Sequence, residues 1–295
     1  MVAPVFFVGM PRSGTTITFD VVASHPDVAW LANYATLLPG RPSVHLPRRL
    51  ARRGLGKSVA DRLPVRGEGL GRLVMRPTEG YPFWARWAHP DFARSYLDGE
   101  KVGKARAAEA YRAVQRVVRW QGGGRFACKT TGPGRLAYLR QIFPDALFVH
   151  LVRDGRAVVR SLLEVPFWRE GGGYERPWWQ GWPAVHDDAI RTAATPEALA
   201  AAQWVAVVDS IRRDGASDPR NYLEIRYEDF TADPAAVVGP LLSRMGLSPS
   251  AEVDRFLAER VAVRSQNHKF RQMDPAMVDR IEAVAAPLLG ELGYL

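Results

Sequence analysis

Residues 5–16 read Val-Phe-Phe-Val-Gly-Met-Pro-Arg-Ser-Gly-Thr-Thr. Such an apolar run predicts a strand buried on both faces, and the glycines after it predict a loop that opens a helix. Gly9, Gly14 and Thr16 keep the spacing of the phosphate-binding loop G-x-x-x-x-G-K-[ST], but Thr15 replaces its lysine and the loop carries Arg12. Backbone N–H groups at a helix start bind phosphate. The segment therefore predicts a nucleotide site that lacks the lysine used to bind a γ-phosphate.

Three later segments extend this pattern. Residues 126–131 read Phe-Ala-Cys-Lys-Thr-Thr, residues 227–230 read Tyr-Glu-Asp-Phe, and residues 147–163 read Leu-Phe-Val-His-Leu-Val-Arg-Asp-Gly-Arg-Ala-Val-Val-Arg-Ser-Leu-Leu. Together with the loop, and in the same order along the chain, they resemble the PAPS-dependent sulfotransferases. The resemblance is to the bacterial enzymes of that superfamily, near the branch that acts on tyrosylproteins and glycolipids.

The resemblance implies a role for each matching residue, with 3′-phosphoadenosine 5′-phosphosulfate (PAPS) as the donor and no metal. Lys129 would contact the bridging oxygen of the donor, together with Arg12. A guanidinium at a strand end and a hydroxyl on the following helix can hold one phosphate from two sides, which assigns the 3′-phosphate to Arg153 and Ser161. The expected donor-binding residues are Pro11, Arg12, Ser13, Gly14, Thr15, Thr16, Arg153, Ser161, Tyr227, Ser265 and Lys269.

The general base is the point at which the chain departs from the related enzymes. A hydroxyl acceptor needs a carboxylate or imidazole that takes its proton. In the tyrosylprotein and related bacterial enzymes a glutamate follows the His-Pro-Asp-Val segment, whereas residues 29–34 here read Ala-Trp-Leu-Ala-Asn-Tyr. Glu79, beside a glycine and among aromatic residues, is the first candidate for the base. His45 and His89 are the alternatives, followed by Glu68.

The order of apolar runs predicts the fold class. Strands at about 4–8, 27–30, 125–129, 146–152 and 222–226 alternate with helices at 15–24, 98–121, 134–142, 156–166, 199–213 and 234–245. This alternation predicts an α/β fold with a mainly parallel central sheet and helices on both faces, as in phosphate-loop proteins. We expect a single domain over residues 1–295, with irregular acceptor-binding regions at about 39–95 and 165–190. The second region contains four tryptophans within 168–182, which suggests a mobile lid or, alternatively, core packing.

Charge and composition limit the partners. The chain has a net charge of +9, and in residues 41–76 the basic residues far outnumber Asp61 and Glu68. This surface is either simply solvated or attracts an anionic substrate or an anionic membrane; no nucleic-acid motif accompanies it. The single cysteine, Cys128, excludes an internal disulfide and is read as a buried packing residue. A cytoplasmic location is expected, and the sequence does not predict the oligomeric state.

The leading functional hypothesis is transfer of the sulfuryl group of PAPS to a hydroxyl of a small molecule, lipid or glycan. A nucleotide kinase is the first alternative, disfavoured by Thr15 and by the lack of a clear acidic strand end for Mg²⁺. A catalytically silent nucleotide-binding protein is the second, because the expected glutamate is absent.

Overall fold

Five parallel strands form the centre of the protein. The structure, a computed structural model, describes residues 3–52, 75–261 and 267–295. The strands are β1 (Val5–Gly9), β2 (Val28–Ala29), β3 (Arg125–Thr131), β4 (Leu147–Val152) and β5 (Tyr222–Arg226), in the order β2-β3-β1-β4-β5. Every pairing is parallel, with Phe7 beside Lys129 of β3 on one side and beside Val149 of β4 on the other. The predicted parallel sheet is confirmed.

The helices connect these strands and cover the sheet. In chain order they are α1 (Thr15–Ser24), α2 (Tyr34–Leu37), α3 (Leu46–Arg52), α4 (Tyr81–Trp87), α5 (Lys104–Trp120), α6 (Leu136–Arg140), α7 (Gly155–Leu163), α8 (Pro166–Glu170), α9 (Asp187–Thr192), α10 (Pro196–Ala216), α11 (Tyr227–Ala232), α12 (Pro234–Arg244), α13 (Ala251–Arg260) and α14 (Pro275–Glu291). Short 3-10 turns occur at Pro42–His45 and Asn267–Gln272, among other places.

Alternate residues of β1 enter two separate cores, because successive side chains of a strand point to opposite faces. Phe6 and Val8 belong to a core built with α5, α7, α10 and α14. Val5 and Phe7 belong to a second core built with α1, α12 and α13. All residues of β1 are buried, as its uninterrupted apolar sequence predicts. Helices thus cover both faces of the sheet and leave the carboxyl ends of the strands for the connecting loops.

Several element boundaries follow the local sequence signals. Helix α1 occupies Thr15–Ser24 and β5 occupies Tyr222–Arg226, as predicted. Helix α7 begins after Asp154, whose side chain accepts a hydrogen bond from the Arg156 backbone N–H, and α10 begins at Pro196 after the capping residue Thr195. The cap at Asp154 allows α7 to begin shortly after the end of β4.

Other boundaries differ from the sequence prediction. The helix expected at 98–121 begins only at Lys104, after the extended Gly103, and the helix expected at 134–142 is limited to Leu136–Arg140. Helices α2, α8, α9, α11, α13 and α14 were not predicted. Cys128 is buried as expected, and burial raises the pKa of its thiol to about 12, so the thiol is neutral at physiological pH.

Candidate active site

The loop between β1 and α1 has an unusual backbone. Arg12 and Gly14 both have positive φ angles, 77° and 85°, and the Ser13 N–H donates to the Met10 carbonyl at 3.1 Å. A side chain at Gly14 would not fit, since an added Cβ would lie 2.4 Å from the Tyr227 ring. A non-glycine residue at positive φ is uncommon and is often functional. The loop therefore brings the first N–H groups of α1 and the Arg12 side chain to the carboxyl edge of the sheet.

A cleft of about 570 Å³ lies beside this loop. We call it the loop cleft; its lining residues are Arg12, Gly14, Thr15, Thr16, Ile17, Asp20, Arg153, Tyr227, Phe256, Glu259 and Arg260. It combines three guanidinium groups with the N-terminus of α1, which favours an anionic ligand. The cleft also contains the carboxylates of Asp20 and Glu259.

Arg12, Arg153 and Ser161 come together at this cleft. The Arg12 Nε donates to the Ser161 Oγ at 2.9 Å, and the Arg153 guanidinium donates to the Arg12 carbonyl at 2.8 Å and lies over the Tyr227 ring. Burial lowers the pKa of Arg153, and Tyr227 and Glu228 oppose that change. Residues separated by up to 149 positions in the chain are thus joined through Arg12 next to the loop.

The basic residue next in sequence, Arg156, has a structural role. Its guanidinium pairs with Asp154 at 2.9 Å and with Glu282 at 2.8 Å, and it donates to the Tyr294 carbonyl. Asp154 therefore both caps α7 and binds an arginine. This pair ties the start of α7 to α14 and so holds Ser161 in place.

Lys129 lies on β3, close to the point where β3 and the neighbouring β1 end side by side. Its Nζ donates to the Thr16 Oγ1 at 2.9 Å and is 3.3 Å from the Glu79 Oε1. The Thr131 hydroxyl donates to the same Glu79 oxygen at 2.9 Å, and the Tyr81 hydroxyl donates to the Thr131 carbonyl at 2.8 Å. Burial raises the pKa of Tyr81, so its phenol remains a neutral donor. The carboxylate of Glu79 is thus held by a cation and a hydroxyl at the end of β3.

A second cleft of about 620 Å³ opens at Glu79. We call it the Glu79 cleft; it is lined by Thr16, Phe19, Asp20, Ala23, Ser24, Trp30, Thr36, Arg48, Arg76, Pro77, Thr78, Glu79, Gly80, Tyr81, Pro82, Lys129 and Phe256. Seven of its seventeen lining residues are aromatic, alanine or proline, and nine are polar or charged. The Arg48 guanidinium donates to the carbonyls of Ala23, His25 and Val28 and lies over the Trp30 ring, so it supports the wall.

The two clefts adjoin. Thr16, Asp20 and Phe256 line both, which makes them a shared wall. Lys129 contacts Thr16 of this wall and Glu79 beyond it. A ligand in each cleft would therefore meet the other near Lys129, with Glu79 on the side of the Glu79 cleft.

The structure brings neither histidine candidate for the base to this point. His45 is buried with its Nδ1 3.3 Å from the Gln121 side-chain nitrogen, and burial lowers its pKa to about 4. The His89 Nδ1 accepts a hydrogen bond from the Asp91 N–H and its ring packs against Tyr138. Neither lines the loop cleft or the Glu79 cleft. Of the base candidates within the described residues, the geometry favours Glu79.

The late segment of the chain is described only in part. Ser265 and also Glu68 lie outside the described residues. Lys269 belongs to the 3-10 turn Asn267–Gln272, which packs against α7. From the same turn, the Asn267 side-chain oxygen accepts a hydrogen bond from the Arg153 Nε at 2.8 Å. The turn therefore adjoins the loop cleft, although the contact with Arg153 comes from Asn267 and not from the predicted lysine.

The tryptophan-rich segment is packed inside the protein. Trp168 and Trp179 are buried, and Trp178 stacks on Trp168 with ring centres 5.5 Å apart. Gly132 and Gly173 make room for these rings. No described residue of 165–190 lines either cleft, so the structure supports the packing alternative over the lid. The region 39–95, by contrast, lines the Glu79 cleft with Arg48 and residues 76–82.

Asp20 and Asn267 are among the residues at the site that were not sequence candidates. Asp20 is one helical turn after Thr16, so both lie on one face of α1, and this spacing could have identified it. Asn267 carries no comparable signal, because its contact with Arg153 joins positions 114 apart.

The loop cleft fits a phosphorylated nucleotide on its own geometry. The Ser13 hydroxyl is buried without a hydrogen-bond partner in the described structure, and Gly14 leaves room for the Tyr227 ring to pack against the loop. The first N–H groups of a helix have no partner within it, and α1 supplies them here. Within residues 3–52, 75–261 and 267–295, no group of three or more His, Cys, Asp or Glu side chains is arranged to bind a metal. No helix in these ranges is long and apolar enough to cross a membrane.

Comparison with solved structures shows the same fold. The sulfotransferase STF9 from Mycobacterium avium superposes with a TM-score of 0.63 at 19% identity, covering 99% of this chain and 77% of that one. The sulfotransferase domain from the curacin biosynthetic pathway gives 0.53 at 14% identity, covering 100% and 99%. The sulfotransferase STF1 from Mycobacterium tuberculosis H37Rv gives 0.54 at 16%, covering 97% and 77%.

At the sequence level, no curated protein matches the chain significantly. Residues 4–251 match the sulfotransferase family, and this span contains the loop, β3, β4 and the Tyr227 segment. The chain therefore belongs to the sulfotransferase family.

Proposed function

We propose that the protein transfers the sulfuryl group of PAPS to a hydroxyl of a small molecule, lipid or glycan. The observation that carries the proposal is the position of Lys129, which contacts Thr16 on the shared wall and Glu79 in the adjoining cleft. PAPS would occupy the loop cleft and the acceptor the Glu79 cleft, so that the two reactants meet at Lys129.

The donor is held by groups that match its two anionic ends. The 5′-phosphosulfate would receive hydrogen bonds from the N-terminus of α1 and from Arg12. The 3′-phosphate would lie between Arg153 and Ser161, each of which is hydrogen-bonded to Arg12 beside the loop. AMP has no phosphate at the 3′ position, and ATP carries its additional phosphates at the 5′ end. Arg153 and Ser161 would therefore discriminate PAPS from both nucleotides.

Transfer itself breaks one S–O bond and forms another. The acceptor oxygen attacks sulfur, its proton passes to the Glu79 carboxylate, and the bond from sulfur to the bridging phosphate oxygen breaks. The electron pair stays on that oxygen, giving adenosine 3′,5′-bisphosphate. Negative charge therefore grows at the bridging oxygen, where the Lys129 ammonium stabilises it more in the transition state than in the ground state.

Calorimetric titration with adenosine 3′,5′-bisphosphate, AMP and ATP in the presence of a chelator tests the donor. We expect strong preference for the bisphosphate, lost in Ser161→Ala and in Arg153→Ala. Arg160→Ala is the matched control, because Arg160 lies beside Ser161 in sequence but pairs with Glu164 at 2.8 Å. Equal affinity for AMP, or preference for ATP, would contradict the proposal and favour a kinase.

Turnover with labelled PAPS then distinguishes an enzyme from a silent binding protein. We expect sulfate to appear on at least one hydroxyl in a panel of lipids, glycans and phenols, and to depend on Lys129. Tight bisphosphate binding without transfer to any member of the panel, and without hydrolysis of PAPS, would favour the binding protein.

A further inference from the structure

Two leucines stand exposed beside the Glu79 cleft. The exposed fraction is 79% for Leu37 and 46% for Leu38, and these are two of six large apolar side chains that are exposed within the described residues. They directly follow Thr36, which lines the cleft. We call Leu37 and Leu38 the leucine tip. Isolated apolar residues on a surface are common, so the meaning of the tip depends on its surroundings.

Several arginines lie close to the residues that follow the tip. The chain continues from Leu38 through Pro39 to the exposed Arg41, and the Trp87 indole donates to the Pro39 carbonyl at 3.1 Å. Arg86 and Arg116 lie over the same Trp87 ring, with guanidinium carbons 5.0 and 5.2 Å from its centre. We call Arg41, Arg86, Arg106 and Arg116 the basic rim; Arg106 joins it by donating to the Arg86 carbonyl. All four are exposed.

Within residues 3–52, 75–261 and 267–295, no salt bridge neutralises the basic rim. Two α5 members, Arg112 and Arg119, add exposed charge on the same helix as Arg116. The acidic residue of α5, Glu109, is also exposed and precedes Arg112 by three positions. Exposed apolar side chains next to several exposed arginines match the interface of an anionic bilayer, in which the leucines enter the acyl region and the guanidinium groups meet the headgroups.

We propose that the leucine tip and the basic rim form a docking surface for anionic lipid bilayers. The leucines are the reason for choosing a bilayer, since a nucleic acid would bind the arginines without favouring an apolar tip. Docking would place the mouth of the Glu79 cleft at the lipid surface, next to Thr36. An amphiphilic hydroxyl compound would then be the acceptor; this last consequence rests on the proposed function, whereas docking does not.

Sedimentation of the full chain with vesicles tests the docking directly and needs no catalysis. We expect binding to phosphatidylcholine vesicles containing about one third phosphatidylglycerol, and at least about tenfold weaker binding to phosphatidylcholine alone. Leu37→Ser/Leu38→Ser should weaken binding to the anionic vesicles by at least about tenfold. Val185→Ser is the matched control, because Val185 is 77% exposed at a distant position and should change nothing.

The charged half of the surface has its own test. Arg41→Gln/Arg116→Gln should weaken binding at low salt and reduce its salt dependence, whereas Arg255→Gln on the exposed side of α13 should not. Equal binding to neutral and anionic vesicles, or full binding by the leucine variant, would overturn the proposal.

Two further outcomes would assign the surface to a different partner. Duplex DNA that competes with vesicles and binds the leucine variant undiminished would indicate a general polyanion surface. A dimer in sedimentation velocity that Leu37→Ser/Leu38→Ser dissociates would assign the tip to a second copy of the chain. Because vesicle binding is measured without PAPS, a failure of the sulfotransferase assay would leave this result unaffected.

Discussion

The loop cleft and the Glu79 cleft share a wall but are built in different ways. The loop cleft takes most of its groups from the ends of β1, β4 and β5 and from α1, where parallel strands and one helix terminus converge, and the rest from α13. The Glu79 cleft takes most of its lining from residues 76–82 and from α1, with a few residues from the chain between β2 and α3. The first is therefore tied to the sheet, and the second to the packing of irregular segments against it.

The donor imposes a fixed requirement on the loop cleft, whereas the acceptor imposes a variable one on the Glu79 cleft. A donor nucleotide presents the same phosphates in every reaction, and groups fixed to a sheet can meet them with little reorganisation. An acceptor varies, and loops can change its cleft without disturbing the sheet. We therefore expect substitutions in the loop cleft to alter donor affinity, and substitutions in the Glu79 cleft to alter acceptor use, with Lys129 affecting the chemistry between them.

Lys129→Ala is expected to have the largest effect on turnover. Loss of one fixed donor at a developing negative charge typically lowers kcat by about 10²- to 10³-fold. Affinity for adenosine 3′,5′-bisphosphate should change by less than about tenfold, since the interaction forms mainly in the transition state. Steady-state kinetics and calorimetry on the same preparation measure both, with Lys101→Ala as the exposed control. A parallel loss of binding and turnover would place Lys129 in the loop cleft alone.

Glu79→Gln should give the next largest effect, a fall in kcat of about 10²-fold with unchanged bisphosphate affinity. The glutamine keeps the volume and can still accept from Thr131, but it cannot take a proton. The decline in rate that a carboxylate base produces on acidification should therefore disappear from the kcat profile of the variant. Glu175→Gln, at an exposed position, is the control.

Asp20→Asn decides between the two carboxylates of the Glu79 cleft. Asp20 lines both clefts, whereas the described ion pair of Lys129 is with Glu79. If Asp20→Asn abolishes the acidic decline and Glu79→Gln does not, the base is on α1 and our assignment is wrong.

Phe256→Ala is expected to have a moderate effect on both substrates at once. Phe256 lines both clefts, so its truncation should raise the KM for donor and acceptor together by about tenfold, through lost apolar contact. Phe167→Ala is the matched control, since Phe167 is 47% exposed in the tryptophan-rich segment and lines neither cleft. An equal rise of the acceptor KM in Phe167→Ala would restore the lid interpretation.

The two clefts also differ in how well the sequence predicts them. Arg12, Thr16, Lys129 and Arg153 occur at or next to strand ends, and parallel strands bring those ends to one edge, so local motifs suffice to group them. Glu79 was found only as an acid among aromatic residues, because its partners Lys129 and Thr131 are about 50 positions away.

The candidates that the geometry does not favour have a physical explanation as well. His45 and His89 are chemically suitable bases, but the sequence does not show that one is enclosed beside Gln121 and the other caps a turn. The tryptophans of 168–182 suggest a lid by composition, whereas Gly132 and Gly173, far apart in sequence, supply the space that packs their rings into the core. Long-range packing of this kind leaves no periodic signal.

His45→Gln should have the smallest effect on turnover, because His45 stabilises the packing behind α2 and does not line the Glu79 cleft. Its effect should be on stability instead. Burial lowers the pKa of His45 from 6.5 to about 4, so between those values the unfolded chain binds a proton that the folded protein does not. The free energy of unfolding contributed by this group is therefore retained above pH 6.5 and lost as the pH falls towards 4, by up to about 3 kcal/mol. His150 is also buried with a lowered pKa, and it acts in the same direction in the wild type and in His45→Gln.

Urea unfolding at pH 7 and pH 5 should show a smaller loss of stability in His45→Gln than in the wild type, at unchanged kcat. If kcat falls about 10²-fold while this pH dependence stays the same, then His45 acts in the reaction, and the assignment of the base to Glu79 fails.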